Sequence, residues 1–300
     1  MSYTVQINSV RKAYGDFVAV NGISFQIPQG SVYGLLGPNG AGKTSTIRMM
    51  IGITMPDSGS VELFGEPFRR EHLQRIGYLP EERGLYKKMK VLDHLVFLGE
   101  LHGMTAAGAT TQARVWAERL KIAEKLNNKI EELSKGMQQK IQFIGALLHD
   151  PEFVILDEPF SGLDPLNTDL LKEVILDLRR GGKTILFSSH QMNTVEMLCD
   201  SICLVNRGEV VLEGPLKAIK SRYGRNNVQI EYEGGEFAPK EHLVQAFNHH
   251  GKYIEVRLAP GVDTQELLRE VAQRARVHRF EVVEPSLHEI FVEVVGRSNA

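Results

Sequence analysis

The chain has 300 residues, 42% hydrophobic and 24% charged, with a formal net charge of −2 at pH 7. This composition suits a soluble protein of about two domains and excludes disordered and fibrous classes. Charge is balanced on both sides of residue 220, so neither part has the basic excess of a nucleic-acid binder, and no nucleic acid is expected as a partner. No apolar run approaches the roughly 18–20 residues that span a bilayer, and Met1–Val10 lacks the basic-then-apolar layout of a signal peptide. A cytoplasmic chain is expected. Cys199 and Cys203 are too few for a disulfide framework and have no His/Cys cluster nearby, which predicts two reduced, buried thiols.

Strand signals open the chain: TVQI, FVAV, ISFQI and SVYGLL fall within residues 3–36, separated by Gly, Asn and Pro. A helix is expected from near Gly42, followed by short strands at VELF (61–64) and IGYL (76–79). Residues 90–149 read as mostly helical, an insertion in an otherwise α/β pattern. Alternation resumes with the strand FVIL from Phe153, a helix over 165–180, the strand TILFSS (184–189) and a helix over 191–199. Wholly apolar strands alternating with helices predict a parallel sheet covered on both faces. SICLV (201–205) and EVVLEG (209–214) flank Asn206-Arg207-Gly208 and predict an antiparallel hairpin.

The polar stretch Ser221–Asn227 reads as a linker, which sets the expected domains at 1–220 and 221–300. Beyond it NVQIEYE and YIEVRL read as strands, while Asp263 with Glu266 and Ser286 with Glu289 have capping-box spacing. Leu287, Ile290, Phe291, Val294 and Val295 make one apolar stripe of a last helix. Its polar side carries Glu289 and Glu293, so the stripe is expected to serve the module's own core rather than a membrane surface. No nucleotide or metal motif occurs there, and an accessory role is expected.

Gly37-Pro38-Asn39-Gly40-Ala41-Gly42-Lys43-Thr44 matches G-x-x-x-x-G-K-[ST] between an apolar strand and a helix. Such glycines let the backbone wrap a polyphosphate, and the helix N-terminus adds positive potential. Lys43 would neutralise the β- and γ-phosphates, and the Thr44 hydroxyl would contact Mg²⁺. The competing reading is an accidental Gly-rich turn. Phe153–Glu158 is an apolar strand ending in two acids, where Asp157 suits a Mg²⁺ contact and Glu158 could polarise a water for attack on the γ-phosphate. Alone, such a pair would be a loop cap; after a phosphate loop it reads as the other half of the site. Ser134 and Gly136, in LSKGM, open another helix and form a second anion site. One nucleotide cannot easily use two separate helix N-termini of one chain, which suggests a partner subunit's nucleotide.

These motifs, in this order, resemble the nucleotide-binding subunit of an ATP-binding cassette (ABC) transporter over residues 3 to about 220: GPNGAGKT (37–44), LSKGM (133–137), FVILDE (153–158), SGLD (161–164) and His190 in SSHQM. The resemblance implies an α/β P-loop NTPase cassette with an antiparallel β-subdomain and a helical subdomain at about 85–149, here followed by a small C-terminal α/β domain. It implies ATP and Mg²⁺ as cofactors, with Ser45 beside Thr44 in the nucleotide site. It also implies a second cassette, most simply an identical one, paired head to tail so that two ATP molecules are trapped between phosphate loop and signature. Asp164 would communicate across the dimer and His190 would contact the γ-phosphate; the bland reading of a lone strand-end His is structural. Tyr14, in KAYGDF, matches the adenine-stacking aromatic or is an aromatic on a half-buried strand. A separate membrane-spanning permease subunit would hold the cassette on the inner face of the membrane, docked through apolar residues of 84–104.

The chain departs from the family pattern where LSGGQ becomes LSKGM, and where Glu81 in YLPEERGLY (78–86) replaces the usual Gln. Lys135 adds charge toward phosphate or points into water. A carboxylate at Glu81 can still ligate Mg²⁺. With PSLHEIFVEVVG (285–296), these strings resemble export-type subunits of the sodium- and drug-efflux kind. A soluble ABC protein of translation or repair would bring two cassettes or a long coiled coil and a basic surface. A GTPase would bring an Asn-Lys-x-Asp motif, and neither a GTPase nor a small-molecule kinase explains LSKGM. His249-His250, without ligand partners, read as a solvated helix end, and Lys87-Lys88 and Arg69-Arg70 as solvated faces.

Overall fold

The computed structural model describes residues 2–82, 84–223, 227–234, 240, 242–249 and 253–297, with side chains described as far as residue 294. By its internal contacts the chain divides into Met1–Pro215 and Leu216–Ala300.

The first unit opens with β1 (Tyr3–Tyr14) and β2 (Phe17–Pro28), which pair antiparallel; β4 (Ser58–Leu63) and the short β5 (Glu66–Pro67) complete a four-stranded sheet in the order β2-β1-β4-β5. FVAV and ISFQI are therefore one strand rather than two. Val10 faces Ile23 while Arg11 faces Asn21, so Gly22 is absorbed as a β-bulge and Asn21-Gly22 makes no turn.

A second sheet has the order β10-β9-β3-β8-β7-β6, built from β3 (Val32–Leu36), β6 (Ile76–Leu79), β7 (Phe153–Asp157), β8 (Thr184–Ser189), β9 (Ser201–Asn206) and β10 (Glu209–Pro215). All neighbours pair parallel except the β9–β10 hairpin. Every residue of β3, β7 and β8 is buried, as continuous apolar runs require. One core joins both sheets to α1 (Lys43–Met50): Ile7, Ile23, Tyr33, Leu35, Ile47, Phe153 and Leu186 belong to it. The insertion supplies α2 (Val91–Leu101), α3 (Ala106–Arg119) and α4 (Lys135–Leu147); α5 (Pro165–Arg180) and α6 (Met192–Leu198) connect the later strands. Both cysteines are free; Cys203 is buried and Cys199 half-buried.

In the second unit α7 (Leu216–Arg222) reaches into the expected linker, so the boundary falls at Pro215 rather than 220. A four-stranded antiparallel sheet follows in the order β12-β13-β11-β14, from β11 (Asn227–Glu233), β12 (Val244–His249), β13 (Ile254–Leu258) and β14 (Arg276–Val283). Val228 and Ile230 sit opposite Val256 and Ile254, and α8 (Thr264–Arg274) packs Leu267 and Val271 on that face. Before α9 (Leu287–Arg297), Glu289 accepts from the Ser286 N–H at 2.7 Å while Ser286 Oγ accepts from the Glu289 N–H at 3.2 Å, a reciprocal capping box. Leu287 and Ile290 of the stripe are buried and Phe291 and Val294 half-buried, while the Val295 side chain lies outside the described residues. His249 ends an exposed strand, not a helix, because the cross-strand partner Ile254 holds it extended; His250 lies outside the described residues.

Candidate nucleotide-binding site

Parallel pairing puts the carboxyl ends of β3, β6, β7 and β8 at one edge of the sheet, where crevices of such sheets bind ligands. The residues that follow these ends are the phosphate loop, Glu81, Glu158 and His190. A cleft of about 450 Å³ opens there, lined by Tyr14, Phe17, Ala19, Asn39, Gly40, Gly42, Lys43, Thr44, Ser45, Glu81, Asp157 and Glu158.

The loop geometry demands its glycines. Gly37 has φ 148°, and a Cβ there would stand 2.1 Å from the Val205 carbonyl oxygen. Gly42 has φ 107°, and its Cβ would stand 2.5 Å from the Ala19 oxygen. Lys43 is buried and its Nζ donates to the Gly37 and Pro38 carbonyls at 2.8 and 3.2 Å, which turns the ammonium into the loop. Burial lowers its pKa, opposed by the nearby carboxylates of Glu158, Asp157 and Glu81. Ala41, within the loop, is buried, and its carbonyl accepts from the Gly208 N–H at 2.9 Å.

Asp157 lies opposite Ser188 in the parallel register, and the Ser188 hydroxyl donates to its Oδ1. Its Oδ2 is buried and lacks a protein partner. A buried carboxylate oxygen with no donor suits a cation, and Thr44 and Glu81 line the same cleft. Among the described residues no cluster of three His, Cys, Asp or Glu forms a metal cage of its own. One buried carboxylate plus a hydroxyl is the donor set Mg²⁺ takes when phosphate oxygens complete its shell.

Glu158 adopts the left-handed conformation, φ 49°, at a cost of roughly 1–3 kcal/mol for a non-glycine residue. Its N–H donates to Ser188 Oγ at 3.2 Å, and its Oε1 lies 2.9 Å from His190 Nδ1. An ionised carboxylate only accepts, so Nδ1 carries the proton and Nε2 is left for other contacts. His190 itself is exposed and joins the site through Glu158.

The remaining expected residues lie outside the cleft lining. Ser134 caps α4, its hydroxyl accepting from the Met137 N–H at 3.3 Å. A Cβ on Gly136 would touch Leu163 Cδ2 at an ordinary 3.5 Å, so packing within the chain does not require glycine there. Asp164 caps α5 by accepting from the Asn167 N–H at 2.9 Å, and that bond holds its carboxyl below the usual range. Ser134 and Gly136 are thus absent from the lining of the phosphate-loop cleft. Sequence reasoning missed Phe17 and Ser188. Phe17 is the cross-strand partner of Tyr14 across the Gly15-Asp16 turn, a pairing visible in KAYGDF once that turn is recognised.

Residues 20–161 match the family model described as ABC transporter, and residues 214–295 match the C-terminal domain of ATP-binding protein DrrA1-3-like. The uncharacterized ABC transporter ATP-binding protein YhaQ of Bacillus subtilis is 45% identical over 97% of this chain and 98% of its own. The Nod factor export ATP-binding protein I of Burkholderia lata is 36% identical over 98% of this chain and 97% of its own. Among solved structures, an ATP-binding subunit of an ABC transporter superposes with a TM-score of 0.68 at 28% identity, covering 74% of this chain and 93% of the other. A phosphate loop, an acid-tipped strand and a strand-end histidine gathered at one sheet edge, in a chain aligned end to end with such proteins, make this protein a member of the ATP-binding subunits of ABC transporters, which hydrolyse ATP to power transport.

Proposed function

We propose that this chain binds ATP with Mg²⁺ in the cleft, hydrolyses it with Glu158 as general base, and powers export through a separate permease as one half of a head-to-tail homodimer. The observation that carries this is Glu158, held in a strained conformation at the cleft wall with its carboxylate tied to His190. Tyr14 stacks the adenine. The loop from Gly37 to Gly42, with Lys43 and Ser45, holds the phosphates. Thr44, Asp157 and Glu81 would hold Mg²⁺, which when bound offsets charge on the phosphate oxygens. Glu158 takes a proton from a water whose oxygen then attacks the γ-phosphorus, and the bond to the β,γ-bridging oxygen breaks to release ADP. His190 orients the Glu158 carboxylate and meets the γ-phosphate through Nε2.

Ser134 and Gly136 act on the partner's nucleotide, and Asp164 lies at the same dimer contact. Export follows the naming of the Burkholderia relative. The permease in this reading is a separate polypeptide with the cassette on its cytoplasmic side; among the described residues no helix is long and apolar enough to cross a membrane. Docking is supported by an apolar cleft of about 430 Å³ between the helical insertion and the β6 side of the parallel sheet, lined by Ile53, Tyr78, Leu85, Leu98 and Ala146 among others. It continues into the nucleotide cleft: a cavity of about 420 Å³ shares Ile53, Tyr78, Pro80 and Gly84 with it, and Thr44, Glu81 and Asp157 with the nucleotide side.

Glu158→Gln keeps the shape but removes the base. Hydrolysis should fall by roughly 10²–10⁴-fold while ATP binding persists. The variant should dimerise on ATP·Mg²⁺ in size-exclusion chromatography. An ATP-insensitive monomer with undiminished hydrolysis would refute the assignment.

A further inference from the structure

We propose that the docking cleft holds a polar anchor, in which His94 and Gln142 receive one neutral hydrogen-bonding side chain, a hydroxyl or a carboxamide, from an otherwise apolar segment of the membrane subunit. This rests on the permease reading above and names what the permease must present.

His94, on α2, is 1% exposed and lines the cleft, yet neither ring nitrogen has a hydrogen-bond partner. Gln142, on α4, is 7% exposed and lines the same cleft; its Nε2 donates to the Glu82 carbonyl at 3.2 Å, while its Oε1 is buried without a partner. Buried polar atoms left without partners are costly. His102, in the same cleft lining, is a third such side chain through its Nδ1, but its ring stacks on His149 at 3.7 Å, whereas His94 and Gln142 are completed by a ligand that enters the cleft. Burial lowers the His94 pKa, so the ring is neutral near pH 7 and offers one donor and one acceptor in either tautomer. Gln142 Oε1 adds a second acceptor. A carboxylate would face that oxygen with like polarity, and an ammonium would enter an apolar cleft unpaired; a group that both donates and accepts fits both residues. Leu85 is followed by exposed Tyr86, Lys87 and Lys88, and Tyr86 meets the His94 ring edge-on at 5.7 Å. This charge favours acidic residues flanking the apolar segment. Because Gln142 also holds the Glu82 carbonyl, an occupant that engages it acts on the loop bearing Glu81.

The test uses the full chain and stapled helical peptides of about three turns, rich in leucine with flanking glutamates, that differ only in a central Thr, Val or Glu. Side-chain ¹⁵N and methyl NMR titrations report binding at His94 and Leu98. The Thr peptide should bind roughly two- to tenfold tighter than its isosteric Val twin, the range of one net hydrogen bond, and should shift the His94 nitrogens. His94→Leu should erase that preference and His94→Asn should retain it. Equal affinity of Thr and Val peptides, with Leu98 shifts, would overturn the anchor and leave docking standing. Tightest binding of the Glu peptide would overturn the neutral side chain. No shift at Leu98 with any peptide would remove the docking reading and the anchor together.

Discussion

At the nucleotide cleft, backbone and side chain are fixed together: Gly42 stands where any Cβ would collide with the Ala19 carbonyl, and Glu158 stands in a conformation its residue type disfavours. In the unit Leu216–Ala300 the sheet asks for less. Val228, Ile230, Ile254, Val256 and Leu258 need only be apolar and of the right volume on one face, since Leu267 and Val271 can adjust against them. The contrast teaches that chemistry constrains residue identity and backbone angle at single positions, whereas packing constrains only a pattern. Substitutions in the first region should therefore alter nucleotide chemistry, and those in the second should alter stability alone.

The largest effect on nucleotide binding is expected at Gly42. Gly42→Ala must relieve a 2.5 Å approach to backbone and occupy φ 107°, strain of roughly 1–3 kcal/mol or more. Spent at the phosphate loop, that strain should weaken ATP binding by at least about tenfold, measurable by isothermal titration. Unchanged affinity would show that the loop can reorganise and would blur the contrast.

Glu81→Gln should act less strongly, because Glu81 is exposed while Asp157 is fully buried. ATPase activity should persist in part, with half-maximal Mg²⁺ shifted by roughly two- to tenfold, or up to about 1.4 kcal/mol. An unchanged Mg²⁺ titration would remove Glu81 from the ion's ligands.

How far each region could be read in advance follows the same division. Lys43, Asp157, Glu158 and His190 were legible because their spacing sits on strand ends that a parallel sheet must gather. Phe17 and Ser188 escaped because their roles depend on a cross-strand pairing and a register, which single motifs do not carry. β12 and β14 escaped as well: both are edge strands with mostly exposed residues, so burial leaves little alternation in QAFNH or RVHRFE. His94 and Gln142 could not be singled out at all, since a missing hydrogen-bond partner is a property of packing. Ser286 and Glu289, by contrast, form the capping box their spacing predicts, because that interaction is local.

That box offers a smaller perturbation within the second unit. Ser286→Ala should cost about 0.5–2 kcal/mol, the usual worth of an N-cap, seen as a lower denaturant midpoint of the full chain. Glu289→Ala should cost more. It also strips the partner from Asn227, which is 2% exposed and donates from Nδ2 to Glu289 Oε1 at 2.8 Å. ATP turnover by either variant should match wild type below the unfolding range. A drop in turnover without loss of stability would show that the second unit enters the chemistry.

The smallest effect is expected from removing that unit. Every residue lining the nucleotide cleft lies between Tyr14 and Glu158, inside a compact unit that ends at Pro215 and has its own core. A chain truncated after Pro215 should bind ATP within roughly twofold of the full-length affinity. Any difference should appear instead in dimer stability or in coupling to transport, as an accessory role demands. The decisive control is circular dichroism. A truncated chain that remains folded but no longer binds nucleotide would place part of the site in Leu216–Ala300, and the division between chemistry and packing would then cut through the second unit rather than in front of it.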